Sequence, residues 1–82
     1  MINFKQQELA QELFYSIKNE FPEIELINIV ESPEDPNDLW INTTSTSDED
    51  RELALIDLAG DKTVDILTQY GYYISIMPKS TI

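Results

Sequence analysis

The segment Ile24-Glu25-Leu26-Ile27-Asn28-Ile29-Val30 carries apolar residues on both parities of an extended chain: Ile24, Leu26 and Val30 on one, Ile27 and Ile29 on the other. Side chains alternate across a strand, so a single buried face needs only one apolar parity. Two apolar parities arise in two ways. Either the strand is central and buried on both faces, or a bulge near Leu26 shifts the phase partway along. The central placement is the expectation adopted here, and the strand order follows from it.

Outward from this segment the chain reads helix, strand, strand, helix, strand. Upstream, Leu9, Ala10, Leu13, Phe14, Ile17 and Phe21 fall on one arc at helical spacing, predicting a helix over Phe4–Glu20. Asn3 is its expected N-cap, with Gln6 as capping-box partner, and Pro22 ends it. Phe4 and Tyr15 project off the apolar arc. Downstream, Ser32-Pro33-Glu34-Asp35-Pro36-Asn37-Asp38 is turn chemistry, and Leu39–Thr44 alternates Leu39/Ile41/Thr43 against Trp40/Asn42/Thr44. The two strands form a hairpin.

Thr46-x-x-Glu49 and Ser47-x-x-Asp50 both signal a helix start, and Asp48, Glu49, Asp50 and Glu52 suit the positive end of its dipole. Leu53, Leu55, Ile56, Ala59, Thr63, Val64, Ile66, Leu67 and Tyr70 share a broad apolar face. Gly60 lies on that face, where it either permits close packing or divides the element; one helix is expected, capped by Gly71. A third strand is expected over Tyr72–Met77, ended by Pro78, with a frayed tail from Lys79 to Ile82.

The expected fold is a single α+β domain over residues 1–82, a two-layer sandwich of order α-β-β-α-β. Both helices cover one face of a three-stranded sheet. A right-handed crossover makes strand 3 run parallel to strand 2. With strand 1 central, the order is 2-1-3 and every neighbouring pair is antiparallel. Ile27/Ile29, Leu39/Ile41 and Ile74/Ile76 would face the helices. The open face would then show Leu26, Asn28, Val30, Trp40, Asn42, Thr44, Tyr73, Ser75 and Met77, more apolar than solvent favours and therefore an expected interface.

Composition narrows the function. The 82 residues hold 16 acids, five bases, no histidine and no cysteine, for a net charge of −11. Between Lys18 and Lys62 the only base is Arg51, and 13 of the acids fall in that stretch. A negative surface repels phosphates and anionic lipids, so neither nucleic acid nor membrane is an expected partner. The start, Met1-Ile2-Asn3-Phe4-Lys5, has no apolar signal core, no run reaches membrane-spanning length, and a cytoplasmic setting is expected. Without histidine or cysteine, catalysis would need carboxylates, hydroxyls or lysine in a pocket; no such motif is evident, so no enzyme and no cofactor are expected.

Asp57, Asp61 and Asp65 stand four apart on the polar side of the second helix, with Leu58 among them. They could meet a divalent cation or a basic peptide, although a solvated helix face is the commoner meaning of such a row. Asp48-Glu49-Asp50-x-Glu52 lacks the glycine and distal glutamate of a calcium loop. The element order resembles that of KH-type RNA modules, but their Gly-x-x-Gly loop is missing. The leading expectation is a non-enzymatic interaction module, adaptor or regulator, acting as a homodimer and binding a protein partner of basic character. The homodimer would use the open sheet face or the edge of strand 2 or strand 3. The alternatives are an inhibitor whose acidic surface imitates a nucleic-acid backbone, and a carboxylate-based metal or small-molecule site.

Overall fold

Leu39, Ile41 and Thr43 are each wholly inaccessible to solvent, and that single buried parity marks the middle of the sheet. The computed structural model of the chain describes residues 2–79. It contains α1 (Phe4–Glu20), β1 (Leu26–Glu31), β2 (Leu39–Thr44), α2 (Glu49–Tyr70) and β3 (Ile74–Lys79). The strand order is β1-β2-β3, with β1 antiparallel and β3 parallel to β2.

The expected order 2-1-3 is therefore corrected. β1 is an edge strand, and one neighbouring pair is parallel rather than antiparallel. The two apolar parities of the first strand come from the other cause. Leu26 pairs with Thr43 but Asn28 pairs with Asn42, so Ile27 is the extra residue of a bulge. The bulge puts Leu26 across from Thr43, on the parity opposite to Asn28 and Val30, and not on the open face where the sequence placed it. Ile24, just before the strand, is fully buried, while Leu26 and Ile27 stay 43% and 52% exposed. The strand thus gives the core Ile24 and part of Ile29, not a continuous apolar run.

α1 is built as its sequence dictates. Asn3 Oδ1 accepts from the Gln6 amide at 2.7 Å, and Gln6 Oε1 accepts from the Asn3 amide at 3.0 Å, completing the capping box. Leu9, Ala10, Leu13, Phe14, Ile17 and Phe21 are all buried, and Phe4 and Tyr15 are exposed. Gln6 is buried too, and its Nε2 donates to the Asn37 carbonyl at 3.0 Å, tying the start of α1 to the hairpin loop.

α2 runs unbroken through Gly60, and Gly71 caps it in the left-handed conformation at φ 77°. Its N-cap is Asp48, whose side chain accepts from the Asp50 amide, in place of the expected Thr46 or Ser47. Thr46 is tied in a different way: Glu52 Oε1 accepts from both its amide and its hydroxyl, each at 3.2 Å. β3 begins two residues later than expected and includes Pro78 and Lys79. The expected frayed tail from Lys79 to Ile82 is corrected at Lys79, which is the last residue of β3; residues 80–82 lie outside the described residues.

Proline is tolerated in β3 because of its phase. The Leu39 amide donates to the Tyr73 carbonyl at 3.0 Å. In a parallel ladder this turns the backbone polar groups of residues 73, 75 and 77 toward β2, and those of Ile74, Ile76 and Pro78 away from it. The amide that Pro78 lacks would have pointed off the sheet edge.

Core substitutions should separate the two origins of the apolar parities. Ile41→Ala is expected to cost about 2–5 kcal/mol in urea unfolding, as for a fully buried large-to-small change. Ile27→Ala, at the exposed bulge, should cost roughly 0.5 kcal/mol or less. An Ile27→Ala loss comparable to that of Ile41→Ala would contradict the edge placement of β1.

Candidate functional site

The broad apolar face of α2 divides in two. Leu55, Ala59 and Thr63 are buried, with Leu58 and Ile66 packed partly against the same core. About 100° round the helix, Leu53, Ile56, Val64 and Leu67 stay 62%, 53%, 59% and 41% exposed. These four and Gly60 make one stripe, uncharged from end to end on a chain of net charge −11. A Cβ placed on Gly60 would meet nothing within 4 Å. The glycine therefore serves no packing need inside the protomer.

The stripe overhangs the outer edge of β3. A groove of about 350 Å³ runs between them, lined by Ile56, Gly60 and Val64 from the helix, by Met77 and Pro78 from the strand and by Tyr73 just before it, among others. Thr63 Oγ1, buried at the groove floor, donates to the Ile74 carbonyl at 2.7 Å. One outward-facing acceptor of the edge is thus satisfied from within. The backbone groups of Ile76 and the amide of Ile74 remain turned toward the groove.

Asn28, Val30, Trp40, Asn42 and Met77 share the face opposite to Leu39, Ile41 and Thr43, as their ladder partners require, and Tyr73 lies just before β3, 44% exposed. Leu26 is the residue of that expected set that the structure moves away. Asn42 Nδ2 donates to Asn28 Oδ1 at 2.7 Å, keeping the middle of this face polar, while Asn42 Oδ1 is buried without a hydrogen-bond partner among the described residues. Lys79 Nζ sits 5.6 Å from the centre of the Trp40 ring. Trp40 and Met77 are half-buried, so this face offers less free apolar surface than the sequence implied.

Asp57, Asp61 and Asp65 are all exposed along α2, but Leu58 is packed partly against the core and does not stand free among them. Asp65 borders a cleft of about 300 Å³ between the helices, with Glu12, Ser16 and Lys62 nearby. Among the described residues no hydrogen bond or ion pair joins those side chains, and no three acids converge as metal ligands would. No helix among them is long and apolar enough to cross a membrane.

The electrostatic anchors lie elsewhere. Arg51 donates from Nε and Nη2 to both carboxylate oxygens of Glu23, and from Nη2 to the Glu20 carbonyl at 3.2 Å. Its guanidinium also lies 4.7 Å from the Phe21 ring centre. The hydrogen bond from Arg51 holds the Glu23 carboxyl below its usual range, and the same bond raises the guanidinium above its own. Asp38, in the hairpin loop, is pushed up by burial first and then by the charges of Asp35 and Glu34.

The chain matches no protein-family model, no curated protein and no solved structure. The site is therefore defined by its own chemistry: an uncharged stripe and a strand edge that no other strand among the described residues pairs, on an otherwise acidic surface. Helical periodicity alone merges every member of the broad α2 face into one contact and so hides the exposed stripe. Its width was the available signal, since one layer of packing needs only about a 100° arc.

The raised Asp38 carboxyl gives a pH test. A group with a raised folded pKa contributes stability that is full below its unfolded pKa and lost as pH rises through the folded value. Asp38→Asn removes that loss. The variant should melt higher than the parent at pH 7, with the gap closing as pH falls toward the ordinary aspartate range. A gap unchanged between pH 7 and pH 3 would contradict it.

Proposed function

We propose that this protein is a non-enzymatic interaction module that acts as a homodimer and turns its acidic surface toward a basic protein partner, as an adaptor or regulator. A single observation carries the reading: Leu53, Ile56, Val64 and Leu67 form an uncharged exposed stripe beside the edge of β3. Contiguous apolar surface of this kind marks an interaction site on a soluble chain. A two-layer arrangement, with both helices on the Leu39/Ile41/Thr43 face, fits the core that α1 and α2 share with that parity. A cytoplasmic setting fits a chain without cysteine.

The acids serve a different role from the stripe. They cover the segment around Glu23 and Glu25, the loop Glu34–Asp38, the start of α2 and its Asp57/Asp61/Asp65 row, where they steer a basic partner by long-range attraction. The loop packs Glu34, Asp35 and Asp38 close together, and their mutual repulsion adds to burial, the larger cause, in raising the Asp38 carboxyl. It lends support to a second reading, an inhibitor that imitates a nucleic-acid backbone in the basic groove of its target.

Light scattering over a concentration series tests the homodimer, with the dimer mass expected at high micromolar concentration and a clean monomer mass overturning it. Salt separates the two surfaces. Raising ionic strength should tighten self-association, because it screens two like-charged protomers, and should loosen any partner held by the acids. Capture from a native extract followed by a salt gradient reads the second effect. A partner retained unchanged to high salt would exclude both the charge-steered and the nucleic-acid-mimicking readings.

A further inference from the structure

We infer that the homodimer forms by antiparallel pairing of β3 with its own copy, Ile76 facing Ile76 across a two-fold axis, with the two α2 helices crossing at Gly60 above the junction. The inference rests on the homodimer reading and specifies its geometry.

The α2 stripe is symmetric in sequence. Gly60 is its centre, Ile56 and Val64 stand four residues either side, and Leu53 and Leu67 seven. Two such helices laid antiparallel about Gly60 match Ile56 to the partner's Val64 and Leu53 to the partner's Leu67. A two-fold interface requires this self-complementarity. The open space beside Gly60 lets the helix backbones approach at the crossing point. Asp57 and Asp61 flank the stripe rather than belong to it, so the five matched residues themselves are uncharged.

The strand edge supplies an independent match. Ile74, Ile76 and Pro78 turn their backbone groups outward. With Ile76 opposite its copy, the two Ile76 residues exchange both amide-to-carbonyl bonds. The next outward pair places Ile74 opposite the partner's Pro78. The Ile74 amide donates to the Pro78 carbonyl, and Pro78 has no amide to return. The Ile74 carbonyl does not need one, because Thr63 Oγ1 already donates to it at 2.7 Å. The missing donor and the pre-satisfied acceptor fall in the same pair only in this register.

Helix and strand also agree on where the axis passes. Thr63 stands over Ile74. Two strand residues, Ile74 to Ile76, advance about 6.6 Å, which equals roughly four residues of helix. Because α2 and β3 run in opposite senses, that step leads back from Thr63 to the level of residues 58–59, next to Gly60 at the centre of the stripe. A standard interface of about 800 Å² per partner is roughly 15% of the chain's 5249 Å². The product is a continuous six-stranded sheet with the helix pair covering its seam.

The absence of cysteine makes single introduced thiols unambiguous reporters. Gly60→Cys should form an intermolecular disulfide on mild oxidation. Ser75 and Met77 become cross-strand neighbours on the opposite face, at a non-hydrogen-bonded position. A mixture of Ser75→Cys and Met77→Cys chains should therefore cross-link, while each alone should not. Ile56→Lys, at an exposed site, should weaken the dimer by about 30-fold or more with helical circular dichroism unchanged. A monomer at all concentrations, including one whose edge takes up an extended segment of another protein, overturns both this geometry and the homodimer. A dimer that neither cross-links at these positions nor responds to Ile56→Lys overturns the geometry alone, and so does a cross-link formed by Ser75→Cys by itself.

Discussion

The complete burial of one parity of β2 is the constraint from which the rest of the structure follows. Leu39, Ile41 and Thr43 are covered because β1 and β3 flank the strand and α1 packs across it. The core cluster joins Leu39 and Ile41 to Leu9, Leu13, Phe14 and Ile17 of α1, to Leu55 and Ala59 of α2, and to Ile74 and Ile76 of β3. In a domain this small one core must serve every element, and no disulfide is present to assist it. Each helix can therefore offer only a narrow strip to the interior. α1 has one apolar strip and uses it. α2 has two, and only one finds room.

How much of this the sequence disclosed depended on whether a local pattern had one physical cause or several. The Asn3–Gln6 capping box, the α1 arc, the exposure of Phe4 and Tyr15, and the Gly71 cap each had one, and each appears in the structure. The Ile24–Val30 segment had two. A bulge and a doubly buried strand leave the same mark in periodicity, and only the pairing of Leu26 with Thr43 and of Asn28 with Asn42 separates them. The candidate site followed the same division. The open-face residues Asn28, Val30, Trp40, Asn42 and Met77 share a face, since β2 and β3 were read in the right phase. The α2 stripe was present in the text of the sequence but merged with the core face, because hydropathy does not say how many neighbours a helix has.

Charge is organised by the same geometry. Arg51, the single base between Lys18 and Lys62, is committed to Glu23, the Glu20 carbonyl and the Phe21 ring. It fastens the first turn of α2 to the end of α1, where the chain would otherwise gather uncompensated acids. As an exposed pair it adds little to stability by itself. Its value is placement, because it fixes the direction in which α2 sets out across the sheet and thereby where its uncharged stripe emerges.

The parallel join of β2 to β3 shapes the order in which the molecule can assemble. β1 and β2 meet through the short loop of residues 32–38, whereas β3 must wait for residues 45–73 to close a far larger loop through α2. Loop closure carries an entropy cost that grows with length, and non-local pairings form late on that account. β3 is thus the last strand to dock and also an edge of the sheet, so the pairing surface of the proposed dimer is completed only when the chain has finished folding. A half-folded chain has α2 and its apolar stripe but no ordered strand beneath it, and in the proposed dimer association would read out completed folding.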